Sequence, residues 1–140
     1  VYQLPVKILA VDDDPDILDA VTLILQSQGY EVVTVRSGSA ALAALKAEEP
    51  DLMILDLLMP GMDGVAVYRE LQKPGWSRFR DVPILALTSV REETGRRRYE
   101  IETGAELHLV EYLEKPIAPE TLLYRVSELI RRRKGLMVAN

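Results

Sequence analysis

Five short apolar segments alternate with five amphipathic ones along the chain, and this alternation constrains the fold more than any other feature. The first, third and fourth apolar segments are continuously apolar, which is typical of strands covered on both faces. Five βα units in series predict one three-layer α/β domain with a parallel sheet and right-handed crossovers. The predicted strands are Val6–Val11, Glu31–Val35, Leu52–Asp56, Pro83–Thr88 and about Leu109–Lys115.

Apolar residues at helical spacing fill the intervals between these strands. Ile17, Val21 and Leu25 mark the first helix, and Gly29 follows as its stop. Ser37 is predicted to cap the second helix. The other helices are predicted after the turn that ends at Gly64, over about Glu92–Thr103, and around Leu122–Ile130 with Pro119 in the first turn.

Length, charge and composition exclude several classes of protein. The chain has 140 residues, which suits one domain with one core. A net charge of −5 disfavours direct nucleic-acid binding, and no apolar run reaches the roughly 20 residues of a membrane span. Cysteine is absent, which excludes disulfides and fits a reducing cytoplasm. We assign the domain to residues 5–134 and residues 135–140 to a C-terminal tail or a truncated linker, and whether an effector domain follows is left open.

Polar and charged residues stand at the end of four predicted strands. They are Asp12 and Asp13, Asp56, Thr88, and Lys115. All strand ends of a parallel sheet share one edge, so we expect these side chains to meet there. Three adjacent carboxylates would repel one another, and oxygen-only ligands suit Mg²⁺ or Mn²⁺. One carboxylate beside such an ion can attack phosphorus and form an acyl phosphate, with the amine and the hydroxyl binding phosphoryl oxygens.

The acidic stretch "DDDPD" at residues 12–16 has three other interpretations besides a Mg²⁺ or Mn²⁺ site: helix initiation, a Ca²⁺ loop and a phosphatase motif. Asp14, Asp16 and Asp19 are best explained by helix initiation. A Ca²⁺ loop would need Gly at position 17 and Glu at 23, where Ile17 and Leu23 stand. A haloacid-dehalogenase-like phosphatase motif would need Thr at position 16, where Asp16 stands.

Four motifs in order give the chain a family resemblance over about residues 6–133. They are "ILAVDDDP" (8–15), "LMILDLLMPGMDG" (52–64), "PILALTS" (83–89) and "YLEKPI" (112–117). With these motifs the chain resembles a receiver domain of the two-component response-regulator family. The resemblance implies a flavodoxin-like, doubly wound (βα)₅ fold with strand order 2-1-3-4-5.

The resemblance implies a role for each residue of the acidic site. Asp56 resembles the phospho-accepting aspartate. Asp13 resembles the direct Mg²⁺ ligand, and Asp12 its acidic neighbour, which often acts through water. The backbone carbonyl of Leu58 is implied as a further metal ligand.

A second implied group of residues senses the phosphoryl group. Thr88 resembles the switch hydroxyl that follows it, and Lys115 the lysine that pairs with it. The peptide bond before Pro116 is cis in the family. Tyr112 resembles the switch aromatic.

The resemblance implies a signalling module that assists only its own phosphorylation and is not otherwise an enzyme. A sensor histidine kinase or a phosphotransfer protein would be the donor. The face made by the fourth helix, fifth strand and fifth helix would signal to an output partner or a second copy. Two alternatives are a receiver-like interaction module that does not cycle phosphate, and a flavin-binding electron carrier. The latter needs a hydroxyl- and glycine-rich loop after strand one, where this chain has acids.

The interval between Gly104 and Tyr112 is about four residues longer than is usual in this family. The extra residues are at Glu106–Leu109. Our hypothesis is that they remodel the output face. Shortening this stretch should then change partner binding, measured with the purified partner, and unchanged binding and switching would contradict the hypothesis.

In the family that this chain resembles, two positions flank the path of the hydrolytic water, and apolar residues stand at both of them here. They are Leu58, two residues after Asp56, and Val90, two after Thr88. Because apolar side chains cannot orient water by hydrogen bonding, we predict slow self-dephosphorylation. Replacing either with a polar residue should speed loss of the phosphorylated form, followed by mass over time; an unchanged rate would contradict this.

Overall fold

A parallel five-stranded sheet with helices on both faces organises the chain. The computed structural model describes residues 4–89 and 110–139. The strands follow the order β2-β1-β3-β4-β5, and every neighbouring pair is parallel. This confirms the predicted flavodoxin-like fold, and the strand bounds agree with the predicted ones to within one residue. They are β1 (Lys7–Val11), β2 (Glu31–Val35), β3 (Leu52–Asp56), β4 (Ile84–Thr88) and β5 (Val110–Glu114).

The described helices occupy the predicted intervals, with one addition. They are α1 (Pro15–Gln26), α2 (Gly38–Glu48), α3 (Gly64–Leu71), a 3₁₀ helix (Pro74–Phe79) and a C-terminal helix (Pro119–Ala139). The predicted helix Glu92–Thr103, the extra residues Glu106–Leu109 and Val90 lie outside the described residues. The C-terminal helix continues through most of the segment 135–140 that we assigned to a tail or linker.

Polar side chains start three of the helices by binding free backbone N–H groups. Asp14 accepts from the Asp16 nitrogen at 2.9 Å, so it initiates α1 as predicted. Ser37 caps α2 as predicted, accepting from the Ala40 nitrogen at 3.1 Å. Asp63 caps α3 in the same way. Such caps each stabilise a helix by about 1 kcal/mol, so local sequence fixes where each helix begins.

Two hydrophobic cores cover the two faces of the sheet. Alternate residues of β1 point to opposite sides: Leu9 and Val11 join one core, whereas Ile8 and Ala10 join the other. The first core is packed by α2, α3 and the 3₁₀ helix, and the second by α1 and the C-terminal helix. Strands β3 and β4 are buried at every position, which explains their continuously apolar sequences.

The 3₁₀ helix between α3 and β4 was not predicted, because its Pro-Gly start reads as a turn. Trp76 and Phe79, one turn apart, anchor it in the first core, and their ring centroids lie 5.8 Å apart. The Trp76 indole nitrogen donates to Glu70 Oε2 at 2.9 Å, and Lys46 Nζ lies 4.5 Å from the ring centroid. The spacing of the two aromatic residues was the available signal for this element.

An ion-pair network joins the C-terminal helix to the amino edge of the sheet. Arg133 donates to the backbone oxygen and to Oδ1 of Asp51, both at 3.2 Å. The other carboxylate oxygen of Asp51 accepts from the Lys7 nitrogen at 2.8 Å. At β5, Glu111 pairs with Arg125 at 3.1 Å and with Arg132 at 2.7 Å. The helix is thereby fixed to both a central strand and the edge strand β5.

The contact between Glu70 and Trp76 predicts a defined acid titration. Hydrogen bonds from Lys73 and Trp76 lower the pKa of Glu70 below its usual value of 4.5. A carboxyl group with a lowered folded-state pKa stabilises the fold above its unfolded-state pKa, and this contribution is lost as pH falls through the folded-state pKa. Fluorescence of Trp76, the only tryptophan, should therefore change below pH 4.5 in the wild type.

The matched variant is Glu70→Gln, which keeps the side-chain shape and removes the titration. It should lack this fluorescence step and unfold more easily than the wild type at neutral pH, with the difference shrinking in acid. An identical acid fluorescence profile in the two proteins would contradict the assignment.

Candidate functional site

The carboxyl edge of the sheet gathers the residues that the sequence placed at strand ends. Asp12 directly follows β1, Asp56 is the last residue of β3, and Thr88 the last residue of β4. Lys115 directly follows β5, and its backbone nitrogen donates to the Thr88 oxygen at 2.6 Å. Residues far apart in sequence thus form one site because the strands that carry them are parallel.

Three carboxylates lie together at this edge. Asp12, Asp13 and Asp56 each offer an oxygen atom, and these atoms all lie within 4.8 Å of one another. The Asp12 and Asp56 side chains are almost fully buried, each at 1% exposure, whereas Asp13 is half-buried. Backbone nitrogen atoms support two of them: Asp14 donates to Asp12 Oδ1 at 2.9 Å, and Leu58 donates to Asp56 Oδ1 at 3.3 Å.

Lys115 brings a cation to the cluster. Its Nζ lies 3.0 Å from Asp12 Oδ2 and 3.5 Å from Asp56 Oδ1, and its side chain is 17% exposed. One ammonium group offsets one of the three carboxylate charges when all three are ionised. The cluster then retains an uncompensated charge of about −2 in a poorly hydrated place, which is unfavourable unless another cation is present.

The donor set fits a small divalent cation. All the candidate ligands are oxygens, which Mg²⁺ and Mn²⁺ prefer, and the charge of such an ion matches the excess. Asp12 Oδ2 forms an ion pair with Lys115. It accepts no well-oriented hydrogen bond from the described part of the chain. Lone pairs therefore remain available to a cation inside the cluster.

The loop after Asp56 is held close to the cluster by two glycines with different functions. Gly61 has a φ angle of +72°, which L-amino acids with side chains rarely adopt. At Gly64 a Cβ atom would lie 2.4 Å from the Asp56 backbone oxygen, so only glycine fits. Leu58 is the second residue of this loop and contacts the Asp56 carboxylate through its backbone nitrogen, and the metal-binding role of its carbonyl stays a prediction.

The two predicted switch residues lie on neighbouring strands. Thr88 is 2% exposed, and its hydroxyl donates to the Ser89 oxygen at 3.4 Å, which is long for such a bond. Tyr112 pairs in register with Ala86 and packs partly against the first core. Thr88 and Tyr112 line the same pocket. The peptide bond between Lys115 and Pro116 is cis, as the resemblance implied.

One residue near the site was missed from sequence. The strand ends that we compared omitted β2, because no acid or hydroxyl follows that strand directly. The residue after β2 is Arg36, and its guanidinium donates to the Asp13 backbone oxygen at 3.1 Å. Listing the residue that follows every predicted strand, including β2, would have found Arg36.

Comparisons with known proteins agree with this geometry. The family model of the response regulator receiver domain matches residues 8–127. The chain is 38% identical over 129 residues to the response regulator MprA of Mycolicibacterium vanbaalenii, covering 92% of this chain and 52% of that protein. It is 36% identical over 128 residues to the DNA-binding response regulator MtrA of Mycolicibacterium smegmatis, covering 91% and 52%.

Solved structures show the same likeness. The chemotaxis response regulator CheY4 of Vibrio cholerae superposes with a TM-score of 0.73 at 32% identity, covering 90% of this chain and 99% of that one. The receiver domain of a signal transduction histidine kinase from Syntrophus aciditrophicus gives 0.74 at 32% identity, covering 89% of each chain.

The chain belongs to the response-regulator receiver family. This follows from a family match that spans most of its length and from relatives that are similar to it in sequence or in fold over most of the chain. The chain spans about half the length of the curated relatives named above. In the described part of the chain, no helix has both the length and the apolar character that crossing a membrane requires.

Proposed function

We propose that this receiver domain accepts a phosphoryl group on Asp56 and uses the change in charge as a signal. The observation that carries the proposal is the meeting of three carboxylates and Lys115 at one sheet edge. A purely structural site would have little reason to concentrate so much like charge in a buried place. Because no residue of the predicted set is missing, the proposal favours phosphate cycling over an interaction-only module.

The metal-binding part of the proposal assigns Mg²⁺ or Mn²⁺ to Asp12, Asp13, Asp56 and the carbonyl of Leu58. When bound, the ion would offset the negative charge of the carboxylates and of the incoming phosphoryl group. The residues of the chain supply the rest: the Asp14 nitrogen holds Asp12, and the Leu58 nitrogen holds Asp56.

Asp56 acts as the nucleophile in the proposed transfer. One of its carboxylate oxygens forms a bond to phosphorus while the N–P bond of a donor phosphohistidine breaks, and the electron pair leaves on the imidazole nitrogen. Lys115 lies close enough to interact with both the acceptor and the transferred oxygens, since its Nζ is 3.5 Å from Asp56 Oδ1. A charged group so placed stabilises the charge on the phosphoryl oxygens.

The signal would start from Thr88, because its present hydrogen bond is long and easily exchanged. A hydroxyl that turns toward the phosphoryl group leaves space in the pocket it shares with Tyr112. Tyr112 lies on β5, next to Glu111, which is tied to Arg125 and Arg132 of the C-terminal helix. A shift of β5 would thus be felt by the helix, and the face built on both elements would present the two states.

The donor and the output follow from the family and not from the site itself. A sensor histidine kinase or a phosphotransfer protein would supply the phosphoryl group, and we infer a cytoplasmic location for the protein. The relative MtrA is described as DNA-binding. For the present chain we infer an output through protein contacts of the face that contains β5 and the C-terminal helix, with an output partner or a second copy, and no direct nucleic-acid contact. Beyond its own phosphorylation and dephosphorylation we infer no enzymatic turnover.

Treating the protein with acetyl phosphate and MgCl₂ tests the proposal without a partner kinase. Intact-mass measurement should show addition of one phosphoryl group to the wild type. Asp56→Asn should show none, because an amide cannot act as the nucleophile. Chelating the metal with EDTA should suppress the reaction in the wild type.

Asp19→Asn is the matched control, since it makes the same chemical change at an exposed position on α1. It should be phosphorylated like the wild type. Equal phosphate uptake by Asp56→Asn and the wild type would overturn the assignment of the acceptor.

A further inference from the structure

The three aspartates of the site differ in how many contacts fix their backbones. Asp56 lies within β3 and Asp12 is anchored by backbone bonds: its nitrogen donates to the Val35 oxygen at 3.3 Å. Asp13 lies past the end of β1 and before the start of α1, and it is the most exposed of the three. The position of the Asp13 backbone therefore depends most on contacts from outside its own strand.

Arg36 makes such a contact. Strands β1 and β2 pair in register up to Val11 and Val35, and the bond from Asp12 to Val35 continues the ladder by one residue. Beyond this residue the contact between the two strands is made by the Arg36 side chain, whose Nη2 donates to the Asp13 backbone oxygen at 3.1 Å. The guanidinium thus extends the strand pairing to the residue that carries the third carboxylate. A charged donor makes this a stronger bond than a neutral one would.

We propose that Arg36 is a positioning residue for the cation site, which it serves by fixing the backbone of Asp13. This inference rests on the proposed function, since it concerns the ion that the acidic cluster would bind. Groups that orient metal ligands in this indirect way commonly change metal affinity by tenfold or more. Because Arg36 is exposed and its bond competes with water, we expect an effect near the lower end of that range.

Charge and positioning predict opposite results when Arg36 is replaced. A positive side chain beside the site repels a metal cation, so removing only its charge should tighten binding of Mg²⁺. Removing the hydrogen bond that holds Asp13 should weaken binding. The direction of the change therefore separates a positioning role from a purely electrostatic one.

The experiment measures the dissociation constant of Mg²⁺ by isothermal titration calorimetry for the wild type and Arg36→Gln. We expect the constant to rise about tenfold in the variant, while its melting temperature without metal stays that of the wild type. The rise in melting temperature on adding MgCl₂ should shrink correspondingly. If Arg36→Gln did not fold, Arg36→Lys would be measured instead; it keeps the charge but shortens the reach, and the constant should again rise.

Arg131→Gln is the matched control. It removes the same charge from a side chain that is 73% exposed, on the C-terminal helix next to the residues that contact the amino edge. It should bind Mg²⁺ as the wild type does. An unchanged or lower dissociation constant in the folded Arg36 variant would overturn the inference while leaving the proposed function intact. Failure of the wild type to bind Mg²⁺ would overturn both.

Discussion

Electrostatic repulsion among Asp12, Asp13 and Asp56 is the constraint on which the organisation of this domain depends. Two unit charges about 4 Å apart interact by about 4 kcal/mol at an effective dielectric constant of about 20. A loop could relieve such repulsion by moving its carboxylates apart. Here β1 and β3 are packed on both faces, so Asp12 and Asp56 are held by the two cores. The repulsion is therefore reduced by a nearby cation, and within residues 4–89 and 110–139 Lys115 provides it.

The dependence on Lys115 ties the site to the whole sheet. This residue follows β5, the last strand in sequence and an edge strand in space. Its backbone bond to Thr88 and its ion pairs with Asp12 and Asp56 join β5 to three other strands, β4, β1 and β3, at one point. In the proposed function, a change of charge at Asp56 would act on the edge strand through Lys115, and the ion pairs of Glu111 link that strand to the C-terminal helix. The negative charge that Lys115 offsets at Asp56 would thus also be the charge through which the proposed signal acts.

Much of this arrangement could be predicted from sequence because it depends on periodicity and on strand ends. Doubly buried strands are continuously apolar, and parallel strands bring their ends to one edge, so Asp12, Asp56 and Lys115 could be placed together before any coordinates were known. The starts of α1 and α2 could also be predicted, because each depends on a capping residue, Asp14 or Ser37, within the local sequence. Family resemblance, and not periodicity, supplied the strand order and the separate roles of Thr88 and Tyr112.

The features that sequence did not reveal depend on contacts between distant residues. Trp76 and Phe79 form a helix where α2 and α3 leave an apolar surface for them, and the spacing of the two aromatic residues is a weak local signal beside a Pro-Gly start that is typical of a turn. Arg36 stands near the site only because β2 pairs with β1, and its type gives no hint of a carbonyl partner. In both cases the local sequence gives only a weak signal, and the importance of the residue comes from its tertiary neighbours.

The loop after β3 contains two glycines that are required for unrelated reasons. Gly61 needs a backbone conformation, and nothing lies within 4 Å of where its side chain would be. Gly64 needs space, because the Asp56 backbone fills the position of a side chain. A D-alanine, whose mirror-image preference suits positive φ, would be accommodated at position 61, whereas an L-alanine at position 64 would collide with the backbone of Asp56 at the end of β3. The handedness of the backbone restricts position 61, and the available volume restricts position 64. The short loop between β3 and α3 therefore requires glycine at both positions, for different reasons.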